Sequence, residues 1–122
     1  QILTNFKMDS IDPAIIILAG QSHLADRLMR PILQAFQQRI MVKYHLLPLE
    51  QAEIGPFISH HLALKGCPQS PFAANALEAI FKNSAGIPRT VATLARLTLT
   101  VGMFQKAQIL TEEHVFQASQ EL

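Results

Sequence analysis

A glycine and a proline separate two helical patterns and place a cation directly after them. Gly86 can adopt the left-handed conformation in which many helices end, and Pro88 suits the first position of the next helix. Arg89 therefore falls in the first turn of a helix, where the helix dipole favours anions over cations. A bound phosphate would make an arginine favourable there, because the guanidinium and the free backbone N–H groups can share the anion. The alternative is a surface arginine that follows a turn.

Two further polar side chains follow predicted elements in the first third of the chain. Gln21 follows the apolar run 14–18, which is typical of a strand buried on both faces of a parallel sheet. Ligands bind beyond the carboxyl ends of such strands. Arg39 lies between a predicted helix and a predicted strand, 41–47, in which apolar and polar residues alternate. The alternatives are a loop amide that caps the next helix for Gln21, and a cation that compensates the dipole at a helix C-terminus for Arg39.

Helical periodicity surrounds these residues. Ser22 is a candidate N-cap for a first helix, and Pro31 interrupts it before a second helix that ends at Arg39. From Leu49 onward the apolar residues recur at helical spacing in four segments, which predicts a small bundle. Their predicted limits are Gly66 and Pro68 after the first helix, Ser70 and Pro71 at the start of the second, Gly86 after it, Gly102 near the end of the third, and Thr111 as the cap of the fourth.

Composition limits the classes of protein that fit. The chain has 122 residues and a net charge of +1, enough for one core of ordinary size. Like charges form no run, so neither a nucleic-acid arm nor a polybasic membrane segment is indicated. The single cysteine, Cys67, excludes an intrachain disulfide and fits a reducing compartment, so we expect a cytoplasmic protein. The longest apolar run, 14–20, is too short to span a bilayer, and we expect no membrane segment.

The chain contains no complete catalytic or metal-binding motif. His60 and His61 are adjacent, and neighbouring helical side chains point about 100° apart, so we predict no metal site. Neither a G-x-S-x-G elbow nor a G-x-x-x-x-G-K-[ST] loop is present. We therefore expect this polypeptide alone to hold no nucleotide tightly. Because it begins at Gln1 without methionine, we also expect it to be part of a longer protein.

The order of these motifs resembles a known family. A buried strand that ends in AGQ at 19–21, a helix that ends at Arg39, the strand 41–47, the connector LPL at 47–49 and GIPR at 86–89 together resemble the C-terminal half of an AAA+ ATPase module. The stretches LTNFKMDS at 3–10 and LAGQ at 18–21, with the segment 39–46, are more closely similar to the ATPases related to general secretion pathway protein A. Many of those ATPases are encoded beside transposases and are similar to the phage Mu B class of transposition proteins.

The resemblance implies a fold and a role for each candidate residue. It implies a mainly α chain: a remnant of the α/β AAA+ core with one or two strands over 1–47, then a four-helix lid over 48–122. Gln21 matches sensor 1, which orients the attacking water, and Arg89 matches sensor 2, which contacts the phosphates of its own subunit. Arg39 matches the arginine finger that reaches a neighbouring subunit, with Arg30 as a second candidate. A guanidinium added to phosphoryl transfer can be worth about 10³ in rate. Glu50 departs from the family, which often has serine or aspartate there.

The resemblance also implies cofactors and partners. ATP and magnesium would be bound by the full-length parent, whose phosphate loop and acidic magnesium strand lie upstream of this sequence. The strand that carries the phosphate loop would lie between 14–18 and 41–47, so these two segments would lose a shared neighbour. We expect a homo-oligomeric regulatory ATPase that assists DNA transposition, with a transposase and DNA as partners. The alternatives are a secretion-pathway ATPase and a non-enzymatic helical adaptor or DNA-binding module.

Overall fold

A computed structural model describes residues 14–122, which are mainly helical as predicted. The chain divides into two compact units, an N-terminal unit that ends at Leu46 and a C-terminal unit, Leu47–Leu122. The assignment of residues 1–47 and 48–122 to an AAA+ core and lid stays a prediction. The family-like stretch 3–10 lies outside the described residues.

Short helices form the described part of the N-terminal unit. They are α1 (His23–Leu28), a 3₁₀ helix (Pro31–Leu33) and α2 (Gln34–Gln37). The predicted interruption at Pro31 is confirmed, since the residue before it is extended, as a proline requires of its predecessor. The side-chain amide of Gln37 donates a hydrogen bond to the Leu28 carbonyl and joins α2 to α1.

The two predicted strands are absent from the described residues. Segments 14–18 and 41–47 have no regular structure, and the isolated bridge between Phe72 and Leu110 is the β pairing found within 14–122. Ile15 is 92% exposed and Met41 is 97% exposed, although both were expected in a sheet. The physical reason is pairing, because a strand needs the backbone groups of a neighbouring strand, and neither segment has one among these residues.

Four helices form the C-terminal unit, as the periodicity predicts. They are α3 (Gln51–Leu64), α4 (Ala74–Ser84), α5 (Pro88–Phe104) and α6 (Glu112–Ser119). One predicted limit was wrong. Helix α4 begins after Ala73, because the preceding residues pair with the Leu110 region and are unavailable as a cap. Helix α5 ends at Phe104, near Gly102 as predicted, and it includes that residue because a single glycine weakens a helix by only about 1 kcal/mol and tertiary packing outweighs it.

One hydrophobic core joins the four helices. Each helix contributes one apolar stripe, and fully burying a large aliphatic side chain is worth about 1.5–3 kcal/mol. Thr98 is also fully buried, and its hydroxyl donates to the Leu94 carbonyl at 2.8 Å, so its polar atom is satisfied. The core residues are Ile54, Ile58, Phe72, Ala76, Ile80, Val91, Leu94, Ala95, Leu110, Val115 and Ala118.

Reciprocal caps begin the first and last helices of this unit. Glu50 is the N-cap of α3, and its N–H donates to the Glu53 carboxylate at 2.8 Å. This capping box compensates for the glutamate that departs from the family pattern. Thr111 caps α6 as predicted, and its N–H donates to His114 Nδ1 at 3.1 Å. Within residues 14–122, no helix combines the length and the apolar character needed to cross a bilayer.

Candidate functional site

The turn between α4 and α5 is built from two left-handed residues. Ala85 has φ 50° and Gly86 has φ 72°. The predicted left-handed conformation of Gly86 is confirmed, but Ala85 is the residue that directly follows the helix. The buried Ser84 holds the turn closed, because its hydroxyl accepts the Gly86 N–H at 3.3 Å and its carbonyl accepts the Ile87 N–H at 3.1 Å. The turn is thereby tied to the end of α4.

The start of the C-terminal unit packs directly on this turn. The Leu49 N–H donates to the Gly86 carbonyl at 2.8 Å. A Cβ atom on Gly86 would overlap the Leu49 carbonyl oxygen, which is main chain and cannot rotate away. Gly86 is therefore required both for its positive φ and for this close approach of two backbones.

Arg89 lies in the first turn of α5, as predicted, and is exposed. Pro88 is the first residue of the helix and has no N–H to offer, and the Val91 N–H donates to the Ile87 carbonyl at 2.9 Å. The N–H groups of Arg89 and Thr90 are the ones that an α-helix leaves without intrahelical partners at this end. No acidic residue occupies this turn. An exposed guanidinium and two backbone donors without intrahelical partners thus lie at the positive end of a helix dipole, an arrangement that can hold an anion.

No partner in the described chain neutralises Arg89. The ion pair found within residues 14–122 joins Lys82 to Glu78 at 2.6 Å, and the Arg89 side chain forms no hydrogen bond or ion pair with any of these residues. A cation near a helix N-terminus costs about 0.3–1 kcal/mol. The charge of Arg89 therefore opposes the dipole of the helix that carries it.

The other two candidate residues belong to the N-terminal unit. Gln21 is exposed and precedes Ser22, the N-cap of α1, and its backbone carbonyl accepts the Leu24 N–H at 2.8 Å. The predicted N-cap, Ser22, occupies the cap position without a side-chain hydrogen bond. Arg39 follows α2 in an exposed turn, and its N–H donates to the Phe36 carbonyl at 3.1 Å.

Arg30, the second candidate for the finger, is also exposed in the N-terminal unit. It is the N-cap of the 3₁₀ helix, and its carbonyl accepts the Leu33 N–H at 2.9 Å. Gln21, Arg30 and Arg39 thus belong to one unit and Arg89 to the other. Their sensor and finger roles stay predictions.

The histidine pair lies on α3 and packs as rings. The Phe57 and His61 rings are 4.7 Å apart edge to face, and the His60 and His61 rings are 5.7 Å apart. Across residues 14–122, no group of three or more His, Cys, Asp or Glu side chains could hold a metal ion.

Sequence reasoning missed Leu49 and Ser84 as parts of the site. Ser84 carries a signal, because a serine, an alanine and a glycine in succession after an apolar stripe are small enough for a closed turn. Leu49 carries none, since its role comes from its main chain, which any residue would supply.

Comparison with known proteins gives one relevant similarity. The chain is 35% identical over 91 residues to "General secretion pathway protein A" of Aeromonas hydrophila, which covers 75% of the chain. That alignment spans 17% of the relative's length, so the chain corresponds to a small part of it. No protein-family model matches the chain, and no solved structure matches it significantly. The similarity indicates a relationship to this secretion-pathway protein.

Proposed function

We propose that this chain contains the C-terminal half of an AAA+ ATPase module related to general secretion pathway protein A, in which Arg89 binds a nucleotide phosphate. The observation that carries the proposal is the exposed, unneutralised Arg89 at the start of α5, on a turn that the Leu49 backbone holds in place. The similarity supports a relationship to the secretion-pathway protein. The resemblance of GIPR at 86–89 to an AAA+ lid supports the ATPase class.

The relative's name favours secretion over transposition as the setting. The transposition role, with a transposase and DNA as partners, depends on resemblance alone and in part on residues 3–10. We therefore prefer the secretion-pathway alternative, in which a homo-oligomeric cytoplasmic ATPase uses nucleotide to control a secretion component.

In the proposed mechanism three side chains orient or stabilise the groups that react. Arg89 holds and orients phosphoryl oxygens, because charge on them is best stabilised by fixed donors. Gln21 orients the attacking water, and Arg39 or Arg30 reaches the nucleotide of a neighbouring subunit. ATP supplies the transferable phosphoryl group when it is bound. The described residues offer no ligand set for magnesium, so we derive no step through that ion.

Titration with tripolyphosphate tests the Arg89 assignment on the chain itself. We expect the backbone amide signals of Arg89 and Thr90 to shift in ¹H–¹⁵N NMR spectra, and Arg89→Ala to abolish the shifts. Arg96→Ala is the matched control, because Arg96 is exposed on the same helix two turns further on and outside the first turn. Shifts that persist in Arg89→Ala, or that disappear equally in Arg96→Ala, would reject the site.

Stability gives a second readout. Since a cation at a helix N-terminus is unfavourable, Arg89→Ala should leave the unfolding free energy unchanged or raise it by up to about 1 kcal/mol. Loss of binding without loss of stability is the signature of a residue retained for a ligand.

The arginine finger is tested in the full-length protein. Arg39→Ala and Arg30→Ala should each be assayed for ATP hydrolysis under assembly conditions, and the finger is the arginine whose loss slows hydrolysis.

A further inference from the structure

A groove opens between α4 and α6 on the surface of the C-terminal unit. Its volume is about 490 Å³, and Arg89 does not line it. Ile80 of α4 and Val115 of α6 are fully buried in the shared core, so both walls of the groove belong to one packed bundle. The residues that line it are Ala79 and Asn83 on α4, and Glu112, Glu113, Phe116 and Gln117 on α6.

Phe116 gives the groove an aromatic surface. Val115 and Ala118 fill the core from α6, and Phe116 between them is 65% exposed. The opposite wall carries the small side chain of Ala79, which leaves space beside the ring. An exposed aromatic ring in a concave site is the kind of anchor that protein partners cover.

Two carboxylates lie on the same faces of α6 as the ring and its neighbour. Glu112 precedes Phe116 by four residues, and Glu113 precedes Gln117 by four, so each pair shares a helix face. The dipole of α6 favours acidic residues in its first turn, but it does not account for an exposed ring one turn further on.

No cation of the described chain neutralises these two carboxylates. The ion pair within residues 14–122 joins Lys82 to Glu78 at 2.6 Å, and Glu112 and Glu113 take part in none. The pKa of Lys82 is raised mainly by its hydrogen bond with Glu78 and by the charge of Glu78, with a smaller contribution from the charge of Glu112. Lys82 is thus held by Glu78, and the negative charge of the groove remains available to a ligand.

The two amides of the groove add hydrogen-bond acceptors. The Asn83 side-chain amide donates to the Ala79 carbonyl at 2.8 Å, and its oxygen accepts no hydrogen bond from any residue of the range 14–122. The Gln117 oxygen accepts from the Gln105 amide at 2.7 Å, which fixes the Gln117 side chain at the edge of the groove. Carboxylate and amide oxygens therefore line the same groove as the ring.

We propose that the α4–α6 groove is a docking site for a basic, arginine-bearing segment of a partner protein. A guanidinium carries five N–H donors in one plane and no acceptor, so it can pair with carboxylate and amide oxygens while it stacks on an aromatic ring. The lysine ammonium is compact and strongly hydrated, and it matches this combination less well. The acidic residues favour a basic segment over an acidic peptide or a nucleic acid.

Short peptides test the groove on the chain itself. The probe is acetyl-leucyl-arginyl-leucinamide, added at low salt and followed in ¹H–¹⁵N NMR spectra. We expect the amide signals of Asn83, Phe116 and Gln117 to shift. The lysine counterpart should bind at least about twofold more weakly, because its ammonium gains less from the ring. The citrulline counterpart, which has the same shape without the charge, should cause no shifts.

Variants with matched controls assign the contacts. Glu113→Gln and Phe116→Ala should each weaken binding of the arginine peptide by about two- to fivefold, since exposed ion pairs and exposed cation–aromatic contacts are of that strength. Glu121→Gln is the control for charge, and Phe104→Ala is the control for an exposed ring. Both controls lie outside the groove and should leave the dissociation constant unchanged.

Each remaining outcome would overturn the proposal. Equal binding of the arginine and lysine peptides would indicate attraction of charge alone, and equal binding of the citrulline peptide would indicate apolar contact alone. A loss in Glu121→Gln or Phe104→Ala as large as that in the groove variants would place the contact elsewhere. Shifts at Asn83, Phe116 and Gln117 that never appear in the wild-type chain would reject the groove as a site, and the Arg89 assignment would be untouched.

Discussion

Gly102 offers the sharpest test of how the bundle is packed. It lies inside α5, where alanine would normally be preferred by about 0.5–1 kcal/mol. A Cβ atom at this position would overlap Cδ2 of Leu110, a side chain that is 3% exposed in the core. The sign of the change therefore depends on whether Leu110 can move.

The backbone of Leu110 is held from both sides. Its N–H donates to the Pro71 carbonyl at 2.8 Å, and its carbonyl accepts the Ala73 N–H at 2.9 Å. With the main chain fixed and the side chain buried, the added methyl overpacks the core at a cost of about 1–3 kcal/mol. After the gain in helix propensity, Gly102→Ala should destabilise the unit by about 1–2 kcal/mol.

A double-mutant cycle with Leu110→Val measures this overlap directly. Valine lacks the clashing atom and costs about 1 kcal/mol through the lost methylene. In the double variant the overlap is gone, so Gly102→Ala should become neutral or stabilising, with a coupling energy of about 1–3 kcal/mol. Urea unfolding followed by circular dichroism at 222 nm gives the four free energies. Effects that add within about 0.5 kcal/mol would refute the assignment of the overlap to Leu110.

Four further substitutions test other parts of the bundle by the same assay. Gly66→Ala should lower the free energy of unfolding by about 1–2 kcal/mol, because alanine is strained in the left-handed conformation. Gly86→Ala should lower it by at least about 2 kcal/mol more, because overlap with the Leu49 main chain adds to that strain. Equal losses in the two variants would contradict the packing described at Gly86. Thr111→Ala should cost about 1 kcal/mol through loss of the α6 cap, and an unchanged midpoint would contradict the capping assignment. Hydrogen bonding to Lys82 lowers the pKa of Glu78, so any stabilisation from this exposed pair is present above the unfolded-state pKa of Glu78 and is lost as the pH falls through its lowered folded-state pKa. Glu78→Gln should leave the unfolding free energy at pH 7 almost unchanged, because exposed ion pairs contribute little. A large loss of stability at pH 7 would contradict the exposed geometry of the pair.

The helices of the C-terminal unit were predictable because local signals and burial agree. Ile54 and Ile58 lie one turn apart on α3, and both are buried as that spacing predicts. Pro88 marked the start of α5 because a proline has no N–H to lose at the first helical position. The end of α5 at Phe104 lies close to Gly102, the residue that predicted it.

The strands were not predictable from their own residues. The run 14–18 has the composition of a buried strand. A strand forms only when its backbone pairs with a second segment, and the composition of one segment does not show whether such a partner is present. Tyr44 is 84% exposed although its segment alternates as a half-buried strand would.

The sequence predicted the exposed residue of the candidate site, Arg89, but not the backbone contact at the base of the turn that precedes it. Arg89 carries a visible signal, because a cation in the first turn of a helix conflicts with the dipole and demands an explanation. The base is a contact between the main chains of Leu49 and Gly86, which are 37 positions apart in the sequence. A main-chain contact does not require particular side chains, so the glycine at position 86 is its only sign in the sequence.

The residues that stabilise the turn and the residue proposed to bind a ligand are neighbours in the segment 84–89. The hydrogen bonds of Ser84, Gly86 and Ile87 close the turn, whereas the Arg89 side chain contributes none and opposes the helix dipole. If Arg89 served the fold, its removal would weaken the bundle. In the proposed function an anion bound at the start of α5 offsets this charge, since it satisfies the guanidinium and the N–H groups of the first turn together.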